Sequence, residues 1–307
     1  MTPFKFNPIY WNWGENIYIA RNRFDLKETD GWEWEIDSGR HWFRWELSSL
    51  VRYRDLVFRL VRRDLLANYQ QTILGGFWIL LQPVLTTLVY WLIFSRIVKV
   101  STDGIPALLF YLSGIICWNF FSDCLNGSMY TFLTNASIFN KVYFPRLIVP
   151  FSSMLAHSIR LLVQLVLFFI IYLLFAIRGG LPAPAVSWLL LPLVLLLTGL
   201  FGLGAGLVIS VLTAKYRDLD YTLQFVLRVW MFASPVFYPA RLVSGPEKWI
   251  FWLNPLTPLI EVFRAICFGR GAIAPVYSIS CVLSILFVLV FGIALFKRHE
   301  LKLTDII

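Results

Sequence analysis

Apolar runs at 73–95, 105–125, 147–177, 186–212, 221–238, 249–268 and 273–296 leave this chain few ways to fold. About 20 apolar residues cross the roughly 30 Å of hydrocarbon in a bilayer, and most of these runs reach that length. Backbone polar groups inside hydrocarbon must be satisfied within the segment, so each crossing has to be helical. The expectation is an all-α polytopic membrane protein. Composition agrees: 58% of the 307 residues are hydrophobic and 15% charged, against about a quarter charged in soluble domains. The 17% aromatic content suits two interfacial belts. Run 147–177 is longer than a crossing needs, so it should tilt or project from the membrane. The linkers are short and leave no room for a large external domain.

The formal charge of +9 does not point to nucleic acid, because the basic residues flank the apolar runs. The positive-inside bias accounts for them. With the N-terminus in the cytoplasm and six crossings, the inner flanks hold Arg52, Arg54, Arg59, Arg62, Arg63, Lys141, Arg146, Lys215, Arg217, Lys297, Arg298 and Lys302. The outer stretches hold Arg96, Lys99, Arg178, Arg241, Lys248, Arg264 and Arg270. Seven crossings would carry the basic tail outside, so one run should not cross. Run 249–268 is the weakest, interrupted by Pro255 and Pro258 and carrying Glu261 and Arg264. Broken backbone at membrane depth is tolerated only against protein or a water-filled cavity. It therefore reads as a pair of short re-entrant helices on the outer side, although its four outward basic residues run against the bias.

Between Ser48 and Pro83 an arginine-rich amphipathic stretch passes directly into the first apolar run. On a helical wheel Arg52, Asp55, Arg59, Arg62 and Arg63 share one face, and Leu50, Val57, Phe58, Leu60, Val61 and Leu65 the other. Such a helix lies at a membrane surface, its arginines in water or on phosphates. Residues 48–72 are thus expected to form an interface helix ahead of the transmembrane domain, 73–307. Residues 1–47 form a separate tryptophan-rich extension holding Trp11, Trp13, Trp32, Trp34, Trp42 and Trp45. Within it, alternating residues around Asp30-Gly31 suggest a small β-hairpin with one apolar face. A membrane-surface anchor is favoured there over carbohydrate stacking. The first 72 residues contain no continuous apolar core of a signal peptide, so the extension should stay in the mature chain.

Ionisable residues at membrane depth are functional candidates: Asp123, Arg160, Arg228, Glu261 and Arg264. Asp123 serves either helix pairing or transport. Glu261 and Arg264, three residues apart, are placed to pair with each other. Arg228 either snorkels to the interface or meets an anionic substrate. Two loops look built for contact. Ile138, Phe139, Val142, Tyr143 and Phe144 surround Asn140 and Lys141, and so many apolar side chains in water favour docking on a partner. The second, TAKYRDLDYT, is compact and charged. Cys117, Cys124, Cys267 and Cys281 lie in apolar stretches with no metal-ligand spacing and read as packing residues. His41, His157 and His299 are scattered, so no metal site is expected. No Walker loop, GxSxG, HExxH or paired-carboxylate motif is present, so any ATP and Mg would be held by another chain.

RYRDLVFRLVRRDLLANYQQTILGGFWILLQPVLTTLVY, NASIFNKVYFPRLIVP, AKYRDL, ASPVFYP and LNPLTPLIEVFR occur in an order that resembles one family. It is the membrane-spanning subunit of bacterial polysaccharide ABC exporters, the type 2 permeases of O-antigen, capsule or teichoic acid chains. The likeness covers about 48–307. It implies a homodimer of six-span subunits bound to two ABC ATPase subunits in the bacterial cytoplasmic membrane, with both termini cytoplasmic. By the same resemblance, Ile138, Phe139, Asn140, Lys141, Val142 and Tyr143 would form the coupling helix, with Tyr216, Arg217 and Asp218 nearby. The stretch 239–272 would form outer gate helices, and Pro235, Tyr238, Asn254, Pro255, Pro258, Glu261 and Arg264 the gate residues. The substrate would be a polyprenyl-diphosphate-linked glycan, whose diphosphate needs positive charge near the cytoplasmic mouth. Arg52, Arg59, Arg62, Arg63 and Arg228 are candidates for that charge. Tyr90, Trp91, Phe110, Tyr111 and Trp118 either line a glycan path or face lipid. Two other readings stand beside export of glycan: a membrane-embedded transferase acting on a lipid-linked sugar, and a related exporter of small lipids or drugs.

Overall fold

The computed structural model describes residues 52–67, 71–139, 144–179, 181, 186–216, 218–245, 248–271 and 275–304. The hairpin expected in 1–47 and the tryptophans there lie outside these residues, as do Asn140, Lys141, Val142, Tyr143 and Arg217. Among the described residues every regular element is helical. The amphipathic α1 (Arg54–Ala67) is followed by α2 (Trp78–Tyr90), which runs on through widened π-type turns to Ile97. Then come α3 (Ala107–Met129), α4 (Thr131–Phe139), α5 (Ile148–Ile177), α6 (Leu191–Lys215) and α7 (Leu219–Phe232). Short α8 (Lys248–Leu253) and α9 (Leu256–Phe268) precede the long α10 (Pro275–Thr304).

Among the described residues, five helical stretches are long and apolar enough to cross a membrane: Gly75–Ile97, Ala107–Met129, Ile148–Ile177, Val186–Lys215 and Pro275–His299. The run 221–238, read from sequence as a further crossing, is different. Its helix stops at Phe232, and Ala233–Pro239 is a turn containing Pro235 and Pro239. Fourteen residues at about 1.5 Å each reach about 21 Å, short of the roughly 30 Å hydrocarbon. Proline removes a backbone donor and clashes with the preceding turn, which ends the helix there. Run 249–268 divides at Asn254–Pro255 into α8 and α9, as its prolines suggested.

The core is built around α3 and α6. Lipid supplies no hydrophobic drive between helices, so close approach and dispersion hold them together. Gly202 of α6 lies where a Cβ would come within 2.6 Å of the Phe121 carbonyl oxygen on α3. On the opposite face of α6, Gly204 meets Gly292 of α10, whose added Cβ would stand 2.5 Å from the Gly204 carbonyl oxygen. Glycines on both sides therefore let α6 sit between its two neighbours. Around them Phe121 stacks on Phe201 and Phe168 meets Phe263. All four cysteines are buried in this packing. In α2 Pro83 has no N–H for the Ile79 carbonyl, and one turn on Thr87 Oγ1 donates to the Pro83 carbonyl at 2.6 Å.

Candidate functional site

The amphipathic α1 packs Val57, Leu60 and Val61 against the bundle, chiefly along α5, and leaves Arg52, Arg59 and Arg62 exposed. Two of its side chains depart from the wheel. Phe58, assigned to the apolar face, is 70% exposed. Arg63, assigned to the wet face, is engaged: its Nη2 donates to Asp64 Oδ1 at 2.8 Å and to Asn135 Oδ1 at 2.9 Å. Asn135 lies on α4, is 3% exposed, and donates from Nδ2 to the Thr131 carbonyl at 3.1 Å. Arg63 thus separates from Arg52, Arg59 and Arg62 as a strut between α1 and α4.

The α4 helix leads into the stretch expected to couple with a partner. Ile138 lies in its last turn, and Asn140–Tyr143 follow outside the described residues. Phe139 is not presented to water as the sequence suggested. It is buried between Phe132 and Phe144, with the Arg146 guanidinium over its ring at 5.8 Å. Phe132 in turn stacks on Phe296 of α10 at 4.7 Å. A large aromatic on a short helix beside other rings gains more from burial than from solvent, which accounts for the inward turn. Tyr216 and Asp218 are exposed at the α6–α7 junction, with Lys215 Nζ over the Tyr216 ring at 4.9 Å.

From this junction, α7 runs antiparallel to the last turns of α3. Tyr130 donates its hydroxyl hydrogen to Asp220 Oδ1 in a short contact, and Gln224 Nε2 donates to Asn126 Oδ1 at 2.9 Å. Asn126 Nδ2 donates to Ser122 Oγ at 3.3 Å. Further along, Trp230 packs edge-on against Phe121. Burial and the Asp220 carboxylate push the Tyr130 phenol up to about 12, so it remains a donor at physiological pH. This seam was missed in the sequence because its members are neutral or distant. Only the spacing of Asp220, Gln224 and Arg228 at i, i+4 and i+8 announced a polar face. Arg228 is exposed.

At the other end of α3, Arg264 is the pivot of a buried polar knot. It is 1% exposed, and its Nη1 donates to Glu261 Oε1 at 3.3 Å, the pairing that their spacing suggested. Its Nη2 donates to the Phe110 and Val236 carbonyls at 3.3 and 3.2 Å, and its Nε to Ser113 Oγ at 3.3 Å. Glu261 Oε1 also accepts the Ala240 N–H at 3.2 Å. Asn254 Nδ2 donates to Ser234 Oγ at 3.0 Å, Tyr238 Oη to the Phe232 carbonyl at 2.9 Å, and Pro235 and Pro258 are buried. Pro255 caps α9 at its start. A buried charge is tolerated only when paired and fully hydrogen-bonded. The knot therefore fixes α9 and the 233–240 turn to α3. Outside it, Arg270 Nη1 donates to the Asp103 carbonyl at 3.2 Å.

The aromatic candidates divide. Phe110, Tyr111 and Trp118 are buried within the protein, where they face neither lipid nor an open path. The Phe110 ring is covered by the Arg264 guanidinium at 3.6 Å. Tyr90 and Trp91 are half-buried on α2, Tyr90 packing edge-on against Phe237 at 4.7 Å. Of the ionisable residues at depth, Asp123 on α3 has its Oδ2 4.0 Å from His157 Nδ1 on α5.

Comparison with known proteins places this architecture. The family model described as ABC-2 type transporter matches residues 55–268. The chain is 28% identical over 221 residues to the O-antigen export system permease protein RfbA of Myxococcus xanthus, covering 71% of this chain and 82% of that one. Over 254 residues it is 23% identical to the RfbA permease of Klebsiella pneumoniae, with 82% and 95% covered. It is 25% identical over 254 residues to the polysialic acid transport protein KpsM of Escherichia coli, with 80% and 94% covered. With its crossing helices, its amphipathic α1 and the broken α8–α9 pair all inside or beside the matched region, the chain belongs to the ABC-2 type transporter family.

Proposed function

We propose that this chain is the membrane-spanning subunit of an ATP-driven exporter that carries a polyprenyl-diphosphate-linked polysaccharide across the bacterial cytoplasmic membrane. The observation that carries the reading is the near end-to-end similarity to permeases named for O-antigen and polysialic acid export. The sequence holds no nucleotide-binding loop, so ATP and Mg belong to a separate pair of ATPase subunits. Two copies of the chain would form the path, each with both termini in the cytoplasm. In this reading α7 and the 233–239 turn, continued by α8 and α9, complete a sixth crossing and close it on the outer side. That even count matches the positive-inside bias.

The ATPase subunits would dock on the stretch from Ile138 to Tyr143 with Tyr216, Arg217 and Asp218 beside it. The arginines Arg52, Arg59 and Arg62 would draw the carrier diphosphate to the membrane surface, each cation near an anionic surface contributing about 1 kcal/mol. Purification of the tagged chain from native membranes tests the whole reading. Co-purification of an ABC ATPase, and accumulation of lipid-linked glycan inside the cell after deletion, are the expected results. Sugar transfer by the lone chain without ATP would overturn it.

A further inference from the structure

The seam between α3 and α7 differs from the sealed polar contacts inside the bundle. The Arg264–Glu261 pair and Asn135 are sealed, at 1%, 2% and 3% exposure, as expected of polar groups that serve only to hold helices together. Asn126, Tyr130, Asp220 and Gln224 are bonded to one another yet only half-buried.

Arg228 extends this line. The pairs Tyr130–Asp220, Asn126–Gln224 and Phe121–Trp230 set an antiparallel register. Arg228 therefore falls level with Ser122–Asp123, about 12 Å along α7 from Asp220 at the helical rise. It is exposed, and no hydrogen bond or ion pair of its side chain is found among the described residues. A guanidinium at that depth against acyl chains costs several kcal/mol, so this face of α7 fronts water or an anion. On the adjoining arc of the helix Tyr221 is 83% exposed, a ring face beside a row of amides and a carboxylate.

We infer that this seam is a binding site for the saccharide next to the carrier phosphate. Asn126, Tyr130, Asp220 and Gln224 exchange their mutual hydrogen bonds for sugar hydroxyls, Tyr221 offers a stacking face, and Arg228 takes a phosphate oxygen. The chemistry suits this ligand: the amides and the phenol donate and accept and the carboxylate accepts, which together serve both sides of a hydroxyl. The site also moves the glycan contact away from the aromatic candidates Phe110, Tyr111 and Trp118, which are sealed inside the protein. The inference rests on the transport reading and specifies where in the chain the substrate is first held.

Thiol accessibility in the full complex with its ATPase subunits tests it. The four native cysteines are buried and give a quiet background. Asn126→Cys and Gln224→Cys should react with a membrane-impermeant maleimide, whereas Val166→Cys on the exposed apolar face of α5 should not. At about four times its dissociation constant, lipid-linked glycan extracted from the host should slow that labelling about five-fold, since protection scales as one plus ligand concentration over Kd. Undecaprenyl diphosphate alone should slow it less. No labelling at 126 and 224 means a closed helix contact and overturns the site. Equal protection by undecaprenyl diphosphate alone overturns the saccharide assignment. As a second measurement, Gln224→Leu should lose export at equal membrane abundance; export equal to the parent counts against the site. If no ATPase subunit co-purifies, the transport reading itself fails, which is a separate result from a dry or unprotected seam in an intact complex.

Discussion

Arg63 Nη2 and Asn135 Oδ1 meet at 2.9 Å across 72 positions of sequence, and this contact ties the surface helix α1 to α4, the helix that leads into the stretch proposed to dock the ATPase. Asn135 is sealed and internally bonded, so the strut has one rigid end. A hydrogen bond to a charged group contributes about 1.5–3 kcal/mol, discounted here because the Arg63 side chain is 41% exposed.

The expected outcome is a coupling energy of about 1 kcal/mol between Arg63→Gln and Asn135→Ala in a double-mutant cycle of thermal unfolding in detergent. Both variants should also weaken ATPase co-purification. Strictly additive effects on unfolding would remove the strut from the account.

Arg264 offers a test with a larger signal. Removing one partner of a buried ion pair strands the other, at a cost of about 3–5 kcal/mol. Arg264→Met should therefore leave Glu261 uncompensated and sharply reduce the folded fraction extracted from membranes. Arg264→Met combined with Glu261→Leu should recover much of it, since two apolar side chains leave no stranded charge. Size-exclusion profiles of the single and double variants read the result; a double variant no better than the single one contradicts the pairing.

Much of this architecture was legible in the residues, and the misses have physical causes. Run length and hydropathy announced the long helices, and Pro255 with Pro258 announced the break between α8 and α9. Hydropathy alone did not show where the helix in 221–238 ends, because it does not register that Ser234-Pro235 and Pro239 stop a helix whose side chains remain apolar. The i,i+3 spacing exposed the Glu261–Arg264 pair, since both partners lie on one turn. It could not separate Arg63 from Arg59 and Arg62, because the partner that distinguishes it comes from another helix. The seam at Asn126 and Gln224 was hidden for the same reason, and burial of Phe110 and Tyr111 follows from the position of Arg264, which composition does not encode.

Phe139 links packing to the proposed docking of the ATPase. Its burial between Phe132 and Phe144 means that Phe139→Ala should cost about 3–5 kcal/mol through lost contacts and a cavity. Docking of the ATPase would then fall as a consequence of a loosened α4. Phe139→Leu, which keeps most of the volume, should restore both thermal stability and ATPase co-purification. If Phe139→Leu instead unfolds normally but fails to hold the ATPase, the ring itself contacts the partner and the inward packing is not its functional state.

The exposed arginines of α1 predict a different pattern, separable by salt. Arg52, Arg59 and Arg62 are open to the surface, and among the described residues no packed contact depends on them. Changing all three to Gln should leave the unfolding temperature within a degree or so of the parent, since such surface changes fall within about 0.5 kcal/mol. Transport of lipid-linked glycan in inverted membrane vesicles should fall, because the surface attraction for a diphosphate drops by about 1 kcal/mol per arginine. Raising ionic strength should reproduce the loss in the parent and have little further effect on the triple variant, as screening acts on charges already removed. Adding Arg63→Gln should go beyond this pattern by lowering stability as well. A triple variant with unchanged transport at low salt would reassign these arginines to anchoring α1 on the lipid surface.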